Sequence, residues 1–160
     1  MKKTIYLMIA GAALFLNACS NPAENIEVIN TKASLTPSFN FNRLGLRVIA
    51  SSINKKQRTM SILYGNKAGL NAVGTGAKEI SDGGVLTLVT WNQQEDAHWY
   101  GANIPGDLLS VELIKTKKNN NQVLFDYSRF EGKNLVLNTD TTGQSKRLKF
   151  ILGQRPSVMP

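Results

Sequence analysis

Apolar positions along this chain fall into three kinds of run. The first, residues 5–16 (IYLMIAGAALFL), is unbroken and follows two lysines, Lys2 and Lys3. It is short for a membrane span, which takes about 20 apolar residues, and its length and charged start fit the core of an export signal. The second kind is short and alternating or β-branched. Residues 44–53 (LGLRVIASSI) and 58–64 (RTMSILY), where Met60 and Ile62 share a face at a period of two, predict two strands joined by the polar turn 54–57. Residues 85–91 (VLTLVTW) are nearly all apolar or β-branched and predict a central strand buried on both faces. Residues 108–114 and 123–130 predict two more strands around the loop tip 119–121. The third kind has helical spacing. Residues 67–73 predict a short helix. Residues 142–154 predict a second, with Leu148, Ile151 and Leu152 on one side, Lys146, Arg147 and Lys149 on the other, and Pro156 beyond its end. Gly74-Thr75-Gly76, Asp82-Gly83-Gly84 and Pro105-Gly106-Asp107 read as turns, and Gly65-Asn66 as a backbone site needing positive φ. The sum is an α+β domain, a mainly antiparallel β-sheet with short helices packed on it.

The apolar run ends at Leu16-Asn17-Ala18-Cys19. This resembles the lipobox of bacterial lipoproteins: a branched apolar residue, a free position, a small residue, then cysteine, with Asn17 polar for its place. The resemblance implies that Cys19 takes a diacylglycerol group, that the chain is cleaved before it and that the new amine is acylated. Each buried methylene contributes about 0.8 kcal/mol; one chain anchors marginally, two or three hold firmly. Ser20, where an aspartate is absent, implies release to the outer membrane of a Gram-negative envelope, facing the periplasm. The organisation expected is a signal peptide at 1–18, a flexible tether at 19–37 with Pro22 and Pro37 near its ends, and a single domain at 38–160. The competing reading is an ordinary signal with a chance cysteine.

Cys19 is the only cysteine. Once it is lipidated, the mature chain has no disulfide, no cysteine-based zinc site, no cysteine nucleophile and no Cys-x-x-Cys-His attachment for haem. The formal charge of +8 falls to +6 when Lys2 and Lys3 leave with the signal. The remaining bases are scattered as Lys55-Lys56 with Arg58, Lys115 with Lys117-Lys118, and Lys146-Arg147 with Lys149. They read as a solvated basic face beside an anionic membrane, with no nucleic-acid partner expected.

The elements RVIASS (47–52), RTMSILYGN (58–66), DGGVLTLVTW (82–91), the following Trp99, and Pro105-Gly106-Asp107 stand in an order that resembles the cytochrome P-460 domain family, which includes cytochrome c-prime-beta. The segment 127–159 is similar to a branch of that family without the haem motif. The resemblance covers most of the mature domain. It implies a mainly antiparallel sheet with helices, often as a homodimer. Family members with haem fix it through a C-terminal Cys-x-x-Cys-His, and the cytochromes P-460 add a lysine cross-link to the macrocycle. This chain matches neither feature. The hydroxylamine-oxidising activity of the family does not carry over, covalent haem is not expected, and non-covalent haem is left open as a cofactor.

His98, the only histidine, lies in Glu95-Asp96-Ala97-His98-Trp99-Tyr100. It is a candidate haem-iron ligand or base, or a loop histidine bonded to Asp96. Trp91, Trp99 and Tyr100 join it as a candidate ligand pocket, with core packing the competing role for Trp91 above all. Glu95 and Asp96 are adjacent on an extended segment and point oppositely. Gly74-Thr75-Gly76 lacks the Gly-Lys-Ser/Thr ending of a phosphate loop, and no metal-binding spacing is present. The sequence therefore points to a binding module for a small or haem-like ligand rather than to an enzyme. The alternative is a non-enzymatic envelope lipoprotein with a partner-binding surface. The native chain is expected to lack residues 1–18 and to carry acyl chains on Cys19, while Cys19→Ala accumulates with Met1 retained. The intact mass of the envelope product checks both.

Overall fold

The structure, a computed structural model, describes residues 29–36, 39, 42–74, 80–120 and 122–157. Cys19 and the segment 1–18 read as an export signal lie outside the described residues, as do Thr75 and Gly76. Six strands form one sheet in chain order, each antiparallel to its neighbour: β1 (Arg47–Asn54), β2 (Thr59–Gly65), β3 (Val85–Glu95), β4 (Asn103–Asn119), β5 (Gln122–Glu131) and β6 (Val136–Asn138). Helix α1 (Lys67–Ala72) bridges β2 and β3, and α2 (Gln144–Leu152) follows β6. The α+β architecture expected from the chain's periodicity is present. Strand β6 is the element its three-residue length hid from that reading.

Strand β3 explains why the sheet is the middle layer. Leu86 and Leu88 point to one face, Val89 and Trp91 to the other, and all four are buried. On the first face Ile151 of α2 is fully buried with Ile49, Leu63, Leu86 and Ile114, and Leu148 and Leu152 pack at its margin. On the second face Val89, Trp91, Leu108 and Val111 are covered by Ala33, Leu35 and Phe39. Each fully buried aliphatic side chain contributes about 1.5–3 kcal/mol, so α2 and the segment before β1 complete the core. Residues 30–35 of the stretch read as a tether thus hold contacts with the sheet. The Trp91 indole donates to the Ala33 carbonyl at 2.9 Å, satisfying a buried N–H that the sheet alone would strand.

Two expectations are corrected. Pro105-Gly106-Asp107 is strand, not turn: Pro105 pairs with Gln93, and β4 carries extra residues between Pro105 and Ser110 relative to β3. Such bulges accommodate a proline that cannot donate to the ladder. Gly65-Asn66 does not need positive φ either. A Cβ on Gly65 would fall 2.5 Å from Ile49 Cδ1 and 2.9 Å from Leu86 Cδ2, so the requirement there is space. Asn66 is extended at φ −80° and caps α1. Its side-chain oxygen accepts from Gly69 N at 2.7 Å and Val85 N at 3.0 Å, and its amide donates to Gly83 O at 2.8 Å.

Gly69 lets α1 lie directly on the start of β3. A Cβ there would sit 2.3 Å from the Val85 carbonyl oxygen, a backbone atom without freedom to move aside. Gly69→Ala is expected to lower stability by about 2 kcal/mol in a denaturant titration, the overpacking cost outweighing alanine's better helix propensity.

Candidate functional site: paired hairpin tips

The turn between β1 and β2 and the loop between β3 and β4 lie at the same end of the sheet. The carbonyl of Arg58, at the close of the first turn, accepts the Gln93 N–H at 2.8 Å and ties the two tips together. The β3–β4 hairpin projects furthest. The last pairing of β4 with β5 is Ser110 with Glu131, so seven residues, Asn103 to Leu109, run on past β5, a reach of ~23 Å at ~3.3 Å per residue.

The projecting loop is built on Asp96. Its carboxylate accepts the backbone N–H of His98 at 2.8 Å and of Trp99 at 3.3 Å, and its own N–H donates to the Ala102 carbonyl at 3.0 Å. Gly101, at φ +78°, makes the reversal. These bonds turn the carboxylate inward and the aromatic residues outward: Trp99 is 72% exposed and Tyr100 wholly so. Between the two tips lies an open cleft of about 510 Å³ walled by Lys55, Arg58, Gln93, Glu95, Asp96 and Tyr100. Cations from one turn thus face carboxylates from the other.

Of the four residues expected to form a ligand pocket, Tyr100 borders the cleft and the other three do not. Trp91 is core, bonded to Ala33; His98, Trp99 and Tyr100 stand exposed at the loop. A haem needs an apolar slot against its ring. His98 is solvent-exposed, and the nearby cleft is lined by charged and amide side chains, so these residues do not fit that group. Among the described residues no cluster of three His, Cys, Asp or Glu is placed to hold a metal ion, and no helix is long and apolar enough to cross a membrane.

A second polar cluster lies under α2. Glu112, on β4, is 1% exposed. It accepts the Tyr127 hydroxyl at 2.6 Å and the Arg147 Nε–H at 3.0 Å, and its other oxygen takes the second guanidinium nitrogen, making a bidentate pair. Arg147 also lies over the Phe150 ring, 5.0 Å from its centroid. Removing one partner of such a pair strands a buried charge, at a cost of about 3–5 kcal/mol. The cluster fixes α2 to the sheet, and its three residues line none of the clefts at the hairpin tips, at Gly83-Gly84 or at Gly65-Asn66. Sequence reasoning missed it, although a lone glutamate inside the apolar strand LLSVELI was the available signal.

No protein-family model matches this chain, and no curated protein matches it.

Burial, and then the hydrogen bond to Glu112, push the Tyr127 phenol well above its ordinary value of 10.0, and burial raises Tyr64 as well. The unfolded chain releases these protons near pH ~10 while the folded chain keeps them. Their contribution is therefore whole below pH ~10 and is lost as pH rises beyond it. Denaturant midpoints are expected to fall above pH ~10, and less steeply in Tyr127→Phe, which leaves the share of Tyr64.

Proposed function

We propose that this chain is an envelope lipoprotein, anchored through Cys19 in the outer membrane and facing the periplasm, whose domain binds rather than catalyses and meets its partner at the hairpin-tip end. The observation that carries the reading is the exposure of Trp99 and Tyr100 beside Lys55 and Arg58, on the part of the sheet that projects furthest. Large aromatic rings held in solvent beside cations are costly to display without a partner and mark contact sites. Among the described residues the one buried charged cluster, Glu112 with Arg147 and Tyr127, has all its strong bonds spent within the fold. The likeness to the cytochrome P-460 domain family belongs to this proposal as a matter of architecture. The meander with helices on one face agrees with it, and the opposed charges of the cleft suit a polar ligand better than a haem.

A photo-reactive amino acid placed at Tyr100 in cells tests the reading against one placed at Asn120, exposed at the opposite end of the sheet. Adducts to any envelope component are expected several-fold more often from position 100. Equal yields from the two ends would sink it.

A further inference from the structure

We infer that the hairpin tips are a docking surface for an anionic phospholipid bilayer, the one in which the chain's own anchor sits. Three observations converge. Trp99 and Tyr100 project into solvent at the extreme of the longest hairpin. Indole and phenol rings carry an apolar body and a polar edge, the combination that partitions to the headgroup region. Beside them Lys55, Lys56 and Arg58 are exposed, and such side chains bury their stems while their heads meet lipid phosphate. Of the facing carboxylates, Asp96 is turned into its own loop by two backbone N–H groups, which leaves Glu95 as the opposing charge at the rim.

The third observation is where the first described residues sit. Asn30 donates to the Pro105 carbonyl at 2.6 Å, so the domain's first described residues sit on the projecting part of the hairpin. From Cys19 to Ile29 the chain can reach at most ~35 Å. The basic cluster Lys115, Lys117 and Lys118 lies toward the opposite end, where β4 meets β5 at Asn119. From Pro105 to Asn119 along β4 is ~46 Å at ~3.3 Å per residue. An upright domain resting on that far end would hold its start higher than the anchor could follow. The length of chain therefore selects the aromatic end as the one that faces the bilayer. This selection rests on the anchor reading at Cys19, whereas the chemistry of the tip does not.

The test uses the chain purified from envelopes and reconstituted in vesicles of phosphatidylethanolamine and phosphatidylglycerol with brominated acyl chains. Tryptophan emission is expected to be quenched by the bromolipid and to shift to shorter wavelength. Trp99→Phe abolishes both changes, since buried Trp91 then reports alone. Reversing Lys55 and Lys56 to glutamate weakens the quenching, the docking equilibrium it reports falling roughly fivefold for each cation lost from the surface. Because all these side chains are exposed, the variants keep the fold, and unchanged Trp91 emission verifies it. Trp99 left open to aqueous iodide in the lipidated, vesicle-bound chain overturns the docking surface while the anchor stands. Quenching of Trp99 in a chain whose mass shows an unmodified Cys19 supports the docking surface and overturns the anchor. Protection of Trp99 on native envelopes but not on protein-free vesicles assigns the tip to a protein and overturns the lipid partner.

Discussion

A strand that pairs antiparallel with the next in the chain must reverse at the connection, and the six strands here obey that constraint throughout. Reversal sends the first and third connections to one end of the sheet. The turn carrying Lys55 and Arg58 and the loop carrying Trp99 and Tyr100 become neighbours although some 40 residues of chain separate them. The Arg58–Gln93 backbone bond then holds a proximity that topology has already made. Nothing in either turn alone would make a cleft; the meander makes it.

The two faces of that sheet are closed by different physics. Helix α2 combines apolar burial at Ile151 with a bidentate ion pair to Glu112, and the pair fixes direction where burial alone would tolerate sliding. The segment before β1 has Ala33, Leu35 and Phe39 for burial and two side-chain bonds, from Trp91 and from Asn30, for register. Polar groups are few on both faces, and nearly all have partners. The Thr87 hydroxyl, fully buried with no bond among the described residues, is one exception.

Much of the fold was legible because its signals are local. The period of two over 58–64 marks a strand, the apolar run 85–91 reports burial within one, and α2 shows its apolar side at helical spacing. What stayed hidden depends on pairing. Pro105-Gly106-Asp107 carries every mark of a turn, and only the bulged register against β3 makes it strand. Gly65 reads as a flexible site until Ile49 and Leu86 are seen to close on it. The site divided in the same way. The aromatic segment around His98 stood out by composition, but whether its rings turn inward or outward was decided by the two backbone bonds to Asp96. The partner turn, 41 positions before Trp99 at Arg58, carried no mark of belonging with it.

The bonds at Asn30 and Trp91 have a mechanical side. The segment they hold lies across the face of the sheet rather than within its hydrogen-bonded ladder. Force applied through the beginning of the chain meets the Asn30–Pro105 contact and then the Trp91–Ala33 contact, one after the other, before it loads a single strand. Contacts arranged in series yield singly, like a zip drawn from one end. Under tension this domain would thus shed its covering segment first, with the six-stranded sheet still intact beneath.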